Sequence, residues 1–163
     1  MRMPAQVMKQ SQSFESRKVG IVNVKLGVNI TIIEPSNLYS CTIGEGSFVG
    51  PFVEIQSDAH IGKHCRIQSH SFICSKVKIG DHCFIGHGVT FTNDLFKDGL
   101  PSPDAKDWLP TIIEERVSIG SGSTILPVHI VAGCVIGAGS VITKDLNVKG
   151  VYAGNPARLL RKL

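Results

Sequence analysis

Residues 43–91 read IGEGSFVGPFVEIQSDAHIGKHCRIQSHSFICSKVKIGDHCFIGHGVTF, and an apolar residue returns at every sixth position of this stretch. A second series, four positions after the first, contains only small or medium-sized residues. Three six-residue faces make one triangular coil of eighteen residues, and each coil buries its apolar edge against its neighbours. The helical spacing of three and four is absent. The pattern therefore predicts an all-β fold, a left-handed parallel β-helix of hexapeptide repeats. The first series is Ile43, Val49, Ile55, Ile61, Ile67, Ile73, Ile79, Ile85 and Phe91, and the second is Ser47, Val53, Ala59, Cys65, Ser71, Val77, Cys83 and Val89.

The repeat has an irregular start and one interruption. Upstream of Ile43, the residues Val28, Ile33 and Leu38 step by five, which indicates an irregular first coil after a mobile tail of residues 1–18. The period stops after Phe91 and resumes at Ile113. We therefore predict a β-helix over residues 19–147 that carries an inserted loop of residues 92–112. Beyond the loop, the inward series continues as Ile113, Ile119, Ile125, Ile130, Ile136 and Ile142.

The C-terminal segment of residues 148–163 is basic and reads GVYAGNPARLLRKL from Gly150. Asn155 is a good helix cap, and Pro156 suits a first helical position because it needs no hydrogen-bond donor there. The segment therefore predicts either a short basic helix or an extended tail.

Composition narrows the function classes. The net charge of +4 is modest, and the basic residues crowd the C-terminus without interleaved aromatics, which argues against a nucleic-acid surface and suits a small anionic ligand. No run of eighteen apolar residues and no apolar signal core are present, so we expect no membrane insertion and a cytoplasmic location. Five cysteines without a CxxC pair indicate reduced thiols, and no metal is expected.

Two terminal motifs resemble those of the hexapeptide-repeat acyltransferases: IGAGSVITKD (residues 136–145) and YAGNPAR (residues 152–158). KIGDHCFIGHGVTFTNDLF (residues 78–96), together with STILPVHI (residues 123–130), is similar to the branch of nucleotide-amino-sugar N-acetyltransferases of surface-polysaccharide pathways. The resemblance implies acetyl-CoA as co-substrate and a UDP- or dTDP-linked amino sugar as acceptor. It also implies a homotrimer whose active sites lie in the grooves between subunits.

Three residues are candidates for the chemistry. His87 lies two residues after inward Ile85, at a corner, and the resemblance makes it the general base; the alternative is a solvent-exposed corner histidine. Asn93 and Asp94 open the inserted loop, and by resemblance they contact the sugar or its incoming ammonium group. Their alternative role is to form the turn, because Asn-Asp pairs commonly do so.

The candidate cofactor site is the small-residue corner of Gly137, Ala138 and Gly139, where a pantetheine arm could approach the backbone closely. Lys144 and Arg158 are expected to meet the CoA phosphates. The alternative is that corner glycines serve the coil and that both cations are only solvated.

Other functions and roles stay open. Zinc-binding β-helices of the γ-type carbonic anhydrase kind use three histidines, two of them five apart, and His82 and His87 have this separation while His64 lies eighteen residues before His82. A non-catalytic scaffold, a sugar O-acetyltransferase and an enzyme for longer acyl chains are further alternatives. Trp108 and Phe96 in the loop either form a lid or, as we favour, anchor the loop to a neighbouring subunit.

Overall fold

The computed structural model describes residues 20–163, which form 21 short strands and one 3₁₀ turn. The tail predicted for residues 1–18 lies outside this range. The strands are β1 (Ile21–Val22), β2 (Lys25–Leu26), β3 (Thr31–Ile32), β4 (Asn37–Tyr39), β5 (Thr42–Ile43), β6 (Phe48–Val49), β7 (Glu54–Ile55), β8 (His60–Ile61), β9 (Arg66–Ile67), β10 (Phe72–Ile73), β11 (Val77–Ile79), β12 (Phe84–Ile85), β13 (Thr90–Phe91), β14 (Thr111–Ile113), β15 (Ser118–Ile119), β16 (Thr124–Ile125), β17 (His129–Ile130), β18 (Val135–Ile136), β19 (Val141–Ile142), β20 (Gly150–Gly154) and β21 (Ala157–Lys162); the 3₁₀ turn is Ala105–Asp107.

The strands assemble into three sheets that the chain visits in strict rotation from β1 to β19. Sheet A contains β1, β4, β7, β10, β13, β16 and β19; sheet B contains β2, β5, β8, β11, β14 and β17; sheet C contains β3, β6, β9, β12, β15, β18, β20 and β21. All pairings are parallel except that of β20 with β21. This architecture confirms the predicted left-handed β-helix, with about seven turns. We name the three lines of turns by the sheets they join: the A–B edge, the B–C edge and the C–A edge.

The core contains the two predicted series. Every inward residue from Ile43 to Phe91, and every one from Ile113 to Ile142, is at most 2 % exposed. Burial of each such side chain contributes about 1.5–3 kcal/mol. The narrow series is buried as well, and its serines are satisfied: Ser47 Oγ donates to the carbonyl of Gly62 at 2.9 Å. Both predicted inward series are therefore confirmed along the regular coils.

The first coil has a different register from the predicted one. Leu26 pairs with Ile43, and Ile32 pairs with Val49, so these two residues continue the inward stacks. Val28 is 62 % exposed, and Ile33 is exposed too. The five-residue step of Val28 and Ile33 therefore does not mark inward positions, because strand pairing with the coil above sets the register there. Among the described residues, no further coil packs beneath the first one. Its inward side chains therefore remain partly exposed, and burial distinguishes them only weakly from outward ones.

The inserted loop leaves the stack intact. Val77 pairs with Thr111, and Ile79 pairs with Ile113, at separations of 34 residues instead of the usual 18. The 16 added residues therefore leave and rejoin the helix at the same point of the coil. Strand β14 already begins at Thr111, so the loop ends at Pro110, two residues before the predicted boundary.

The predicted C-terminal helix is wrong, and the extended alternative is what forms. Strand β20 adds to sheet C beside β18, and β21 folds back on β20 as an antiparallel hairpin. The physical reason is the open sheet edge that β20 presents, whose free backbone groups β21 satisfies. Asn155 and Pro156 form the hairpin turn. In residues 20–163, no helix is long and apolar enough to cross a membrane.

Candidate active site on the C–A edge

His87 occupies a turn of the C–A edge, between β12 and β13, and its side chain is exposed. The next coil along the chain forms hydrogen bonds with both the N–H and the C=O group of His87. The amide of Gly122 donates to the His87 carbonyl at 2.8 Å, and the His87 amide donates to Ser121 Oγ at 3.2 Å. The imidazole therefore projects outward from a fixed backbone, as the sequence predicts.

The predicted cofactor corner lies on the same edge. Above His87 the next coil contributes Ser121 and the coil after that contributes Ala138, and the Gly139 amide donates to the Ser121 carbonyl at 2.9 Å. Coils are spaced like neighbouring strands, so His87 and Ala138 are about 10 Å apart along the edge. The structure thus brings the candidate base and the candidate cofactor corner into one line.

Three glycines leave open space along this line, and we call the three together the glycine track. Gly88, Gly122 and Gly139 have φ of 64°, 68° and 67°, a region that suits glycine, and a Cβ added to any of them would meet no atom within 4 Å. Bare backbone beside open space accommodates a narrow, extended ligand. Gly88, Ser121 and Gly122 were missed by the sequence analysis. The signal was available, because each of these glycines follows an inward isoleucine by three residues.

The C-terminal hairpin closes the upper end of the track. The Gly137 amide donates to the Tyr152 carbonyl at 2.8 Å, and a Cβ on Gly137 would lie 2.9 Å from that of Ala153. Gly137 is therefore required for packing of the hairpin. Arg158 pairs with Ala153 across the hairpin, and its exposed side chain lies at this end of the edge. The position suits recognition of phosphate groups.

Asn93 and Asp94 lie on a different edge, the A–B edge, after β13. Asn93 Nδ2 donates to the Ser75 carbonyl at 3.3 Å. Both carboxylate oxygens of Asp94 accept backbone amides within the loop, from Phe96 at 2.9 Å and Ser102 at 2.6 Å. These contacts match the turn-forming alternative. Within one chain the two residues are separated from His87 by the width of sheet A, at most about 20 Å for six residues.

Lys144 shares the A–B edge with Asn93, in the turn after β19, and its side chain is exposed. It is therefore not beside Arg158 in the same chain. The predicted cofactor residues divide between two edges.

Lys76 anchors the inserted loop, a role that the sequence analysis missed. Its ammonium group donates to the carbonyls of Ala105 at 2.7 Å, Trp108 at 2.8 Å and Lys106 at 3.3 Å. These carbonyls belong to the 3₁₀ turn and the residue after it, which attract a cation. Lys76 lies eighteen residues before Asp94, which opens the loop one coil above, so the eighteen-residue stacking rule was the available signal.

The three histidines of the zinc alternative do not converge within one chain. His64 and His82 stack on the B–C edge with ring centroids 5.1 Å apart, and His87 lies on the C–A edge. Within residues 20–163, no group of three metal-binding side chains is assembled.

A histidine–carboxylate pair occurs on sheet B instead. His129 Nε2 lies 2.8 Å from Glu114 Oε1, and the second oxygen of Glu114 accepts the Ala132 amide at 2.9 Å. The Ala132 amide and then His129 lower the pKa of Glu114. The pair makes His129 a competing candidate for a general base, away from the glycine track.

The cysteines are not nucleophile candidates. All five are buried and free. Burial raises the pKa of Cys41 to about 11 and that of Cys74 to about 12, so both stay as thiols at neutral pH.

Two family models match the coils described above. The model for the bacterial transferase hexapeptide (six repeats) matches residues 40–75, and the model for the hexapeptide repeat of succinyl-transferase matches residues 76–91 and 110–144. The fold and the matched repeats define a hexapeptide-repeat β-helix protein. More particularly, the two models together match more than half of the chain, which belongs to the hexapeptide-repeat transferases.

Curated relatives match this chain over only part of their own length. A putative acetyltransferase of Schizosaccharomyces pombe is 46% identical over 56 residues, which are 34% of this chain and 27% of that protein. The bifunctional protein GlmU of Thermodesulfovibrio yellowstonii is 32% identical over 156 residues, covering 79% of this chain and 29% of that protein. The chain thus spans less than a third of the length of these relatives.

Solved structures share the fold. A hexapeptide-repeat acetyltransferase of Vibrio cholerae complexed with acetyl coenzyme A is 28% identical, with a TM-score of 0.65, covering 74% of this chain and 70% of that one. AntD, an N-acyltransferase of Bacillus cereus in complex with dTDP and coenzyme A, is 21% identical with a TM-score of 0.75, covering 85% and 83%. Perosamine N-acetyltransferase of Caulobacter crescentus, with CoA and GDP-perosamine, is 22% identical with a TM-score of 0.59, covering 83% and 56%.

Proposed function

We propose that the protein is an acetyl-CoA-dependent N-acetyltransferase that acts on the amino group of a nucleotide-linked amino sugar. The observation that carries this proposal is the alignment on the C–A edge of His87, the open glycine track and Arg158. An imidazole, a strip of exposed backbone without side chains and a guanidinium group suit an amine, a pantetheine arm and phosphates respectively.

In the proposed reaction, His87 removes a proton from the acceptor amine as the nitrogen attacks the thioester carbonyl. The new C–N bond replaces the C–S bond, and the CoA sulfur leaves as the thiol after taking up a proton. Ser121 Oγ already accepts the His87 amide, so its hydroxyl hydrogen is free to donate to the developing oxyanion. Ser121 thus has a double role, holding His87 and stabilising the intermediate.

The proposed assembly is a homotrimer. Asn93, Asp94 and Lys144 lie on the A–B edge of one chain and His87 lies on its C–A edge, so a site that uses both sets needs two chains. In a trimer the A–B edge of one subunit would face the C–A edge of the next. The acceptor sugar would then contact Asn93 from one subunit and His87 from the other.

The ligands of similar proteins support the choice of substrates. The Vibrio cholerae acetyltransferase binds acetyl-CoA, AntD binds dTDP together with CoA, and the Caulobacter crescentus protein binds GDP-perosamine. A thioester and a nucleotide-linked sugar are therefore the substrates to test first.

The test is to incubate the purified protein with acetyl-CoA and a panel of nucleotide-linked amino sugars while following thiol release and product mass. Matched variants are His87→Ala, His129→Ala as the competing base, and His60→Ala, an exposed histidine on sheet B, as the control. Loss of transfer only in His87→Ala supports the proposal. Transfer to sugar hydroxyls instead of amines would assign the O-acetyltransferase alternative, and no transfer to any acceptor would reject the proposed function.

A further inference from the structure

Two aromatic rings lie on the C–A edge directly below the proposed base. Phe52 and His70 stack with ring centroids 4.9 Å apart and an interplanar angle of 15°. They occupy the turns one and two coils below Gly88, in the same position of the coil. The edge is therefore aromatic below His87 and bare above it.

This aromatic pair differs from the glycine turns above it on the same edge. Phe52 is 57 % exposed, and both residues have left-handed backbones, with φ of 59° and 62°. Glycine fills the equivalent turns above them at Gly88, Gly122 and Gly139, whereas Phe52 and His70 place side chains there, as His64 and His82 do on the B–C edge. The exposed Phe52 ring therefore offers an apolar surface on which a planar ligand can stack.

The surroundings of Phe52 suit a planar, hydrogen-bonding ligand. A shallow cavity of about 230 Å³ adjoins the ring and is lined by Pro35, Ser36, Asn37, Val53 and Glu54. The Glu54 carboxylate is held in place there, because Asn37 Nδ2 donates to it at 3.2 Å and Gln56 Nε2 at 2.9 Å. An aromatic face beside a fixed carboxylate can stack a heterocycle and accept its ring N–H.

The spacing fits one end of the proposed acceptor. Phe52 lies two coils below His87, about 10 Å along the edge. In a nucleotide-linked sugar, a ribose and two phosphates separate the base from the hexose, a span of the same order. The glycine track above His87 leads away in the opposite direction, toward Arg158. The acceptor and the acyl donor would thus approach His87 from opposite ends of one edge.

We infer that the Phe52–His70 pair is the stacking platform for the nucleobase of the acceptor, with Glu54 selecting bases that carry a ring N–H, namely uracil, thymine and guanine. This inference rests on the proposed function, and it names the residues that recognise the nucleotide. Stacking on an exposed aromatic residue contributes about 1–3 kcal/mol per base, so removal of Phe52 weakens nucleotide binding about tenfold.

The test is titration calorimetry of the full chain with UDP, dTDP, GDP and ADP, which needs no turnover. We expect Phe52→Ala to weaken binding of UDP, dTDP or GDP about tenfold, Phe52→Trp to retain it, and Glu54→Gln to reduce the preference over ADP. Phe84→Ala, at a 37 % exposed ring on sheet C, is the matched control and leaves binding unchanged.

Equal nucleotide binding by Phe52→Ala and the wild type would overturn the platform, as would the absence of nucleotide binding by a wild type that still transfers acetyl groups. Dissociation of the assembly in Phe52→Ala, seen by size-exclusion chromatography with light scattering, would instead assign the ring to a subunit contact and overturn the inference. The transfer assay with the amino-sugar panel is separate. Its failure rejects the proposed function, whereas a calorimetric failure alone rejects only the platform.

Discussion

The two edges that flank sheet A differ in how they use polar groups. On the C–A edge above His70, the backbone amides are engaged between coils, and the glycines leave open space beside an exposed imidazole. On the A–B edge, the side chains of Asn93, Asp94 and Lys76 donate to or accept from the backbone to hold the inserted loop. Polar side chains on the A–B edge therefore support the inserted loop, whereas the candidate site on the C–A edge lies beside open space.

The largest effect is expected from His87→Ala, which tests whether the C–A edge supplies the general base. We expect kcat to fall about a hundredfold, because general-base catalysis contributes 10²–10⁴-fold. Steady-state kinetics of thiol release measure the effect, with His60→Ala as the control. A kcat within twofold of the wild type would mean that the amine binds already neutral and that the C–A edge does not supply the base.

The next largest effect is expected when the glycine track is filled. Asn tolerates a left-handed backbone, so Gly122→Asn adds a side chain with little strain. We expect the KM for acetyl-CoA to rise about tenfold with little change in kcat. The matched control is Gly99→Asn, at a glycine of the loop with φ of 77° and equally open surroundings. Equal effects of the two variants would show that the acyl donor does not bind along the glycine track.

A smaller effect is expected on the A–B edge from Asp94→Ala. Loss of two accepted backbone amides removes about 1 kcal/mol of local stability, so limited proteolysis within the loop should speed up about fivefold. Asp98→Ala, at another carboxylate of the loop, is the control. A fall in kcat to the level of His87→Ala, without faster cleavage, would give Asp94 the direct catalytic role that the resemblance implies.

The smallest effect is expected from Lys76→Met. The aliphatic stem stays and three donated hydrogen bonds are lost, so cleavage in the loop should speed up about threefold while kcat stays within twofold of the wild type. Lys78→Met, on the outward face of β11, serves as the comparison. Unchanged cleavage would show that the loop is held by Asn93 and Asp94 alone.

The regular coils were predictable residue by residue because each inward position repeats a local rule. The first coil was not, since Leu26 is exposed and Ile32 is only half-buried, which leaves a weak burial pattern to distinguish them from Val28 and Ile33. The sequence left a helix and an extended segment open at the C-terminus because Asn followed by Pro suits a hairpin turn as well as a helix cap. Local signals failed where a neighbouring coil or strand decides the structure.

The candidate site was predictable in part. The resemblance and the corner position selected His87, Ala138, Gly139 and Arg158, which the structure aligns on one edge. Asn93 and Asp94 could not be assigned from sequence, because an amide and a carboxylate that open a loop have the same signature whether they bind a ligand or the backbone. The catalytic and cofactor roles of all these residues stay predictions.

The uninterrupted pairing of Ile79 with Ile113 makes the inserted loop an exchangeable module. Doubling the length of such a loop adds only about 0.6 kcal/mol of closure entropy, whereas a one-residue shift within a strand would turn its inward side chains to solvent. Loops of other lengths could therefore be grafted between Phe91 and Thr111 without disturbing the core. Such grafts would change the A–B edge and leave the scaffold that holds His87 unchanged.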